Sequence, residues 1–345
     1  MESPNNNEFY RVGYSGSWKD AWDEFVINQS RNGTIFHERN FLEYHSEQKF
    51  NDASLLFIKK KSNPPIISAV FPSVFLETSG VKVLSSHPGS SYGGLIYSPS
   101  ISTSGVSDIL EQIIDYAKKF QANSIEIRLP EQIIFSDPPD QELSFLLWHK
   151  GFNLKTRELS SAVFLQSRIP LSKLSKKTFS WSVNRAKSEG LTVSYNFPVE
   201  KIYHLIKNNL EKRYEKSPTH TLDELIDIKN RYPNRIKAWT AMKDKIPVGV
   251  VVVFEINTRA VHDFYIAQDF KYSKFQPLYL IFDSIFHYYR DNHFDWFNFG
   301  ISSRDKWIKW GILNFKEGLG GRGVVRETWI LNDLNKPIDP ICKEF

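Results

Sequence analysis

Residues 248–256 read Val-Gly-Val-Val-Val-Val-Phe-Glu-Ile, and this stretch restricts the fold more than any other. Its β-branched side chains favour extended backbone over helix, and it is apolar on both faces that a strand presents. Such a strand needs cover on each side. The chain is therefore expected to build a sheet between other layers, with this strand in the core of its C-terminal half.

The segments around it have a definite order. IKAWTAMK, a turn ending at Pro247, the apolar strand, a turn at Asn257 and Thr258, and AVHDFYIAQ lead into LYLIFDSIFHYYRDN and then FDWFNFG. The first half runs similarly: SLLFIKKK, IISAVFPSVFL, VKVLSS, a glycine-rich loop, the segment SDILEQIIDYAKKF and the strand SIEIRL, stopped by Pro130. Ile109, Leu110, Ile113, Ile114, Ala117 and Phe120 recur at helical spacing, with Ser107 as the expected N-cap and Asp108 at the positive end. Helix, short link and strand thus occur twice in the same pattern, which predicts repeated architecture. The expected lobes are 1–165 and 166–345, with a basic helical linker over about 170–233 in the second.

A length of 345 residues suits two domains. The opening MESPNNNEF has neither basic nor apolar leader character, and no apolar run approaches the roughly 20 residues of a membrane span. The expected location is the cytoplasm, with a peripheral position at the inner face of the membrane left open. The single cysteine, Cys342, permits no intrachain disulfide, argues against cysteine-based chemistry, and is expected to be a bystander. A net charge of +5 does not demand nucleic acid, but Arg168, Lys173, Lys176, Lys177, Arg185 and Lys187 face only Glu189 across residues 168–190. That stretch is either a solvated linker or a surface for a polyanion.

FLEYHSEQKFNDASLLF, SSHPGSSYGGLIY, SVNRAKSEGL, SPTHTLDELIDIKNRYP, AVHDFYIAQ and FNFGISSRDKWIKWGILNFKEGLGG follow one another in an order that resembles the Fem-like (FemAB-type) branch of the GNAT acyltransferase superfamily. Members of that branch include aminoacyltransferases of peptidoglycan bridges and acyltransferases linked to cell-envelope polysaccharides. The resemblance implies an α/β (α+β) chain of two tandem GNAT-like N-acyltransferase lobes, each a mixed, mostly antiparallel sheet flanked by helices. It also implies transfer of an acetyl, acyl or aminoacyl group to an amine of an amino sugar or peptide in an envelope precursor, with a nucleotide- or lipid-diphosphate linkage of that acceptor left open. The donor would be acetyl-CoA, another acyl-CoA or aminoacyl-tRNA, without a metal. One departure bears on the donor. Ordinary GNAT enzymes hold the coenzyme A pyrophosphate on a glycine-rich loop before a helix, whereas QDFKYSKFQPLYLIFDS has no glycine there. Lys271 and Lys274 are the cations that would substitute for it, with Ile266 and Ala267 on the neighbouring strand end.

The chemistry-bearing candidates are scattered. His87 and Tyr92 lie in a loop with Gly89, Gly93 and Gly94, where His87 could accept the proton of an attacking amine if its pKa stays near neutrality. Strict alternation along AVHDFYIAQ places His262, Phe264 and Ile266 on one face and Asp263, Tyr265 and Ala267 on the other. Asp263 is the second candidate base, and a backbone N–H near Ile266 a candidate oxyanion donor. Lys316, before the glycines of FKEGLGGRG, could neutralise developing charge, or could simply be a solvated lysine in a turn. Arg39, Arg185 and Arg213 are candidate clamps for diphosphate or carboxylate. His220 is either an acceptor contact or part of a helix start capped by Thr219 or Thr221. Trp307 and Trp310 could stack on sugars or bases, but core packing is the commoner fate of such residues and is expected here. The absence of HExxH, CxxC, Walker and GxSxG patterns gives no support to metal, nucleotide-hydrolysis or serine-hydrolase chemistry. Two alternatives to the leading reading remain: a tRNA-dependent aminoacyl or peptidyl transferase, and a non-catalytic module for a glycan or partner protein.

Overall fold

A computed structural model describes residues 8–46, 49–139 and 141–335. Cys342 lies outside the described residues. The chain forms two compact units, one reaching to Arg157 and resuming at Arg326, the other Glu158–Val325.

The first unit contains β1 (Phe9–Gly13), β2 (Leu55–Lys59), β3 (Ile67–Phe71), β4 (Ser73–Thr78), β5 (Val81–Ser86), α1 (Thr103–Lys119) and β6 (Ser124–Arg128). β5 and β6 run parallel, joined through α1, while β4 is antiparallel to β5 and the C-terminal strand Arg322–Leu331 is antiparallel to β6. A second, antiparallel sheet runs β1-β2-β3 and ends on Ile96–Tyr97. The α1 residues read as an apolar face, Ile109, Leu110, Ile113, Ile114 and Ala117, pack with Leu84, Ile125, Ile127 and Trp329. The helix starts earlier than Ser107. Ser102, in extended conformation, accepts from Gly105 N at 3.2 Å and is the N-cap, so Ser107 falls within the helix.

The second unit takes in the end of β7 (Asn153–Phe164) and then α2 (Lys177–Ser188), α3 (Val199–Tyr214), α4 (Leu222–Arg231), β8 (Ile236–Lys243), β9 (Ile246–Glu255), β10 (Ala260–Gln268), α5 (Pro277–Asp291), β11 (Trp296–Ile301) and α6 (Trp310–Gly318). Its sheet order is β8-β9-β10-β11-β7, with Thr192–Ser194 outside β8. β9 contains the valine-rich apolar run. Val251 and Val253 enter a core with α2 and α5, through Phe179, Val183, Leu280, Ile281 and Phe282. Val250, Val252 and Phe254 are equally buried, and α3 lies against β9 and β10. The strand is covered on both faces, as its composition demands.

Candidate active site

β10 and β11 pair in parallel over Ala260–His262 and Trp296–Asn298, and their registered pairing ends there. Beyond that point the two strands part, and a cavity of about 410 Å³ is lined by residues from β10, α3, α5 and α6, among them Asp263 and Lys316.

The local geometry comes from a bulge. Val252 of β9 stands opposite Tyr265 and Val253 opposite Asp263, leaving Phe264 as an extra residue. Neighbours on β9 point to opposite faces, so Asp263 and Tyr265 do too. The strict alternation expected from the sequence placed them together, and the inserted residue overturns it. Asp263 now shares a face with Ile266, and both line the cavity. Tyr265 turns the other way, where its hydroxyl accepts from His220 N at 3.0 Å and meets His220 Nδ1 at 3.0 Å. Burial raises the Tyr265 phenol to about 12.

Asp263 is 5% exposed, and its Oδ2 has no hydrogen-bond partner. Burial pushes its carboxyl well above the usual carboxylate range, while the Lys316 ammonium pulls in the opposite direction. Lys316 lies in α6, 4% exposed, so the reading of a solvated lysine in a glycine turn does not describe it. Its Nζ donates to the carbonyls of Gly300 at 2.8 Å and Ile301 at 2.9 Å. These carbonyls belong to the end of β11 as it leaves β10.

Two residues not singled out from the sequence shape that strand end. Asn298, fully buried, accepts through Oδ1 from Gly300 N at 2.9 Å and from Ser160 Oγ at 3.1 Å. Gly300 has φ +66°, and a Cβ there would lie 2.8 Å from His262 Cε1. A glycine closing an otherwise aromatic strand, FNFG, was the available signal.

Of the other candidates, Arg213 lines the same cavity. Ala267 is buried on the Tyr265 face, and Lys271 and Lys274 are exposed, with Lys274 5.0 Å from the Phe275 ring. Arg185 stacks over the exposed Trp181 at 5.4 Å. His220 is buried, its carbonyl accepting from Tyr203 OH at 2.9 Å, while the adjacent Thr221 caps α4 through a capping box with Glu224. The segment before α5 is a tight turn, Phe270–Phe275, capped by Asp269. Pro277 then packs so closely on β9 that a methyl at Gly249 would come within 3.2 Å of it.

His87, Tyr92 and Arg39 belong to the first unit. His87 is 4% exposed and accepts from Gly89 N at 3.3 Å; burial, with Arg39 and His45 adding to it, lowers its pKa to about 4. The near-neutral pKa expected of it is not what its surroundings produce. Tyr92 is a core residue between Phe36 and Phe135. The close approaches that the loop glycines permit are to the protein's own atoms: His45 and Phe50 at Gly89, Ser86 at Gly93. Arg39 is buried and engaged by Asp52 at 2.5 Å, Glu43 at 3.2 Å and Ser54 at 3.2 Å, beneath the Tyr14 ring. No group of three or more potential metal ligands occurs among the described residues, and none of their helices is long and apolar enough to cross a membrane.

Residues 173–341 match the model of the FemAB family. Among solved structures, FemX matches with a TM-score of 0.69 at 12% identity, over 94% of this chain and 98% of that one. L-PGS from Bacillus licheniformis gives 0.53 at 12% identity, over 78% and 82%. A conserved protein of unknown function from Bacteroides thetaiotaomicron VPI-5482 gives 0.55 at 10% identity, over 94% and 99%. Curated protein sequences give no significant match. Identities this low speak for shared fold alone. The family match over the second half and the FemX-like fold over nearly the whole chain both support a Fem-like assignment.

Proposed function

We propose that the second unit transfers an aminoacyl group from a charged tRNA to an amine carried by a cell-envelope molecule. The observation that carries this reading is a carboxylate and an ammonium in one cavity at the parting of β10 and β11, with Asp263 Oδ2 unpartnered. The attacking amine forms a bond to the ester carbonyl of the donor, and its surplus proton passes to Asp263. Negative charge on the carbonyl oxygen is met by the Lys316 ammonium and by a backbone N–H near Ile266. As the tetrahedral intermediate collapses, the bond to the nucleotide oxygen breaks and that oxygen takes a proton, so an amide and a free hydroxyl result. No covalent enzyme intermediate is required. Burial raises the proton affinity of this carboxyl, which strengthens it as an acceptor for the amine's proton.

The choice of tRNA over coenzyme A is supported at the start of α5. A pyrophosphate needs close approach to bare backbone N–H groups, whereas this chain has a bulky turn and a proline packed onto Gly249. The exposed Lys177 and Trp181 of α2, with the half-buried Arg185 against the indole, offer phosphates a cationic partner and bases a stacking surface. The likeness to FemX and the FemAB match support an aminoacyl donor and an envelope acceptor.

The test supplies purified protein with total tRNA charged with labelled amino acids or, in parallel, labelled acetyl-CoA, and offers amino sugars and lysine-containing peptides as acceptors. Label should reach an acceptor from charged tRNA and not when Asp263→Asn replaces the wild type. Transfer from acetyl-CoA alone overturns the donor assignment. Undiminished transfer by Asp263→Asn overturns the base.

A further inference from the structure

Between β11 and α6 the chain leaves the sheet as a tight hairpin. Ser303–Arg304 pairs antiparallel with Trp307–Ile308, turning at Asp305 with φ +53°. The base is fixed: Ser302 N donates to Leu159 O at 2.6 Å, Leu159 N to Ser303 Oγ at 2.8 Å, and Lys309 N to Ser302 O at 2.8 Å. Ser302 and Ser303 are buried, and every residue from Arg304 to Gly311 is exposed. Trp307 is 80% exposed and Trp310 63%, with Ile308 and Ile301 exposed beside them in the chain. The sequence expectation of core tryptophans fails here because a two-strand hairpin has no layer above it to bury them.

Trp307 and Trp310, on a firmly anchored support with Ile308 between them, each expose apolar area that water does not favour. The segment's charge is one-sided: Arg304, Lys306 and Lys309 face a single acid, Asp305. Indole has an apolar body and a polar N–H and settles at the boundary between hydrocarbon and water, while lysine stems lie along apolar surface with the ammonium in the headgroups. RNA would give the tryptophans a stacking role but would leave Ile301 and Ile308 without one.

We propose that this hairpin docks the protein onto an anionic phospholipid surface. Gly311 and Ile312, directly after Trp310, line the cavity that holds Asp263 and Lys316. Docking therefore brings one wall of that cavity to the lipid boundary, where a lipid-borne acceptor would present its amine. This last step rests on the transfer proposed above, whereas the docking itself does not.

Vesicle co-sedimentation, which reads no turnover, tests the docking. The full chain should sediment with vesicles of mixed phosphatidylglycerol and phosphatidylcholine and much less with phosphatidylcholine alone, with a blue shift of tryptophan fluorescence. Trp307→Ala with Trp310→Ala should weaken binding by about tenfold or more. Lys306→Gln with Lys309→Gln should weaken it by up to roughly thirtyfold at low salt, about fivefold per cation. These side chains are exposed, so both variants should melt as the wild type does. Full vesicle binding by the tryptophan variant, or no preference for the anionic lipid, overturns the proposal. Loss of binding to a short RNA, with vesicle binding intact, overturns it as well and assigns the hairpin to nucleic acid. If docking holds while no donor supports transfer, the transfer reading fails and the docking stands.

Discussion

Asp263 and Tyr265 stand two places apart on one strand and project from opposite faces of it, because Phe264 between them is the extra residue of a bulge. One face meets the cavity, the other meets His220. The bulge lets neighbouring residues of β10 serve a cavity and a packed interior without a change of strand.

Replacing Asp263 with Asn should lower transfer by about 10²- to 10⁴-fold while making the fold no less stable. Burial raises this carboxyl, so the native state resists its ionisation. The resulting penalty is absent below the ordinary carboxylate pKa and grows as pH rises through it. The melting temperature of Asp263→Asn should therefore gain on that of the wild type between acid and neutral pH. A gap that shrinks over this range would contradict the assigned shift.

Lys316→Met should cost about 1–3 kcal/mol in chemical denaturation, because it removes the donor to the Gly300 and Ile301 carbonyls. The same change should move the acidic limb of the rate profile to higher pH, since Lys316 holds the Asp263 pKa down. An unmoved limb would detach Asp263 from the reaction's pH dependence.

Gly300→Ala places a methyl on a left-handed backbone and 2.8 Å from His262 Cε1. The expected loss is about 1–3 kcal/mol. Adding His262→Ala should recover the steric part and leave the backbone part, a coupling that a double-mutant cycle measures.

His37 and His87 are both buried and lowered to about 4. The fold thus prefers them neutral, and the unfolded chain takes up their protons first. Stability should be full above about pH 6.5, the ordinary histidine value, and fall as pH drops towards 4. His87→Gln should flatten part of that decline, read by thermal melts across the range, and should leave the neutral-pH rate profile without a missing limb.

Where side-chain pattern determines structure, the sequence was readable. The valine run became the doubly covered β9, and LYLIFDSIFHYYRDN became α5 because its apolar stripe has a core to meet. Asp263 was singled out because it lies on a recognisable strand. Ile266 was named too, but on the wrong face, since nothing in AVHDFYIAQ marks an inserted residue and one insertion inverts every later position. Lys316 was singled out by its place before the glycines, but its burial depends on how β11 folds against α6. Arg39 and Tyr92 carry groups suited to ligand binding, yet Asp52 and Phe36 already occupy them. Such occupancy is a property of tertiary contacts and leaves no local trace.

The two oxygens that hold Lys316 come from the main chain. No point mutation can delete them, and only a shift of the backbone at Gly300 and Ile301 would take them away. The cation's seat, unlike Lys316 itself or Asp263 in the same cavity, is thus written in the path of the chain rather than in any one codon.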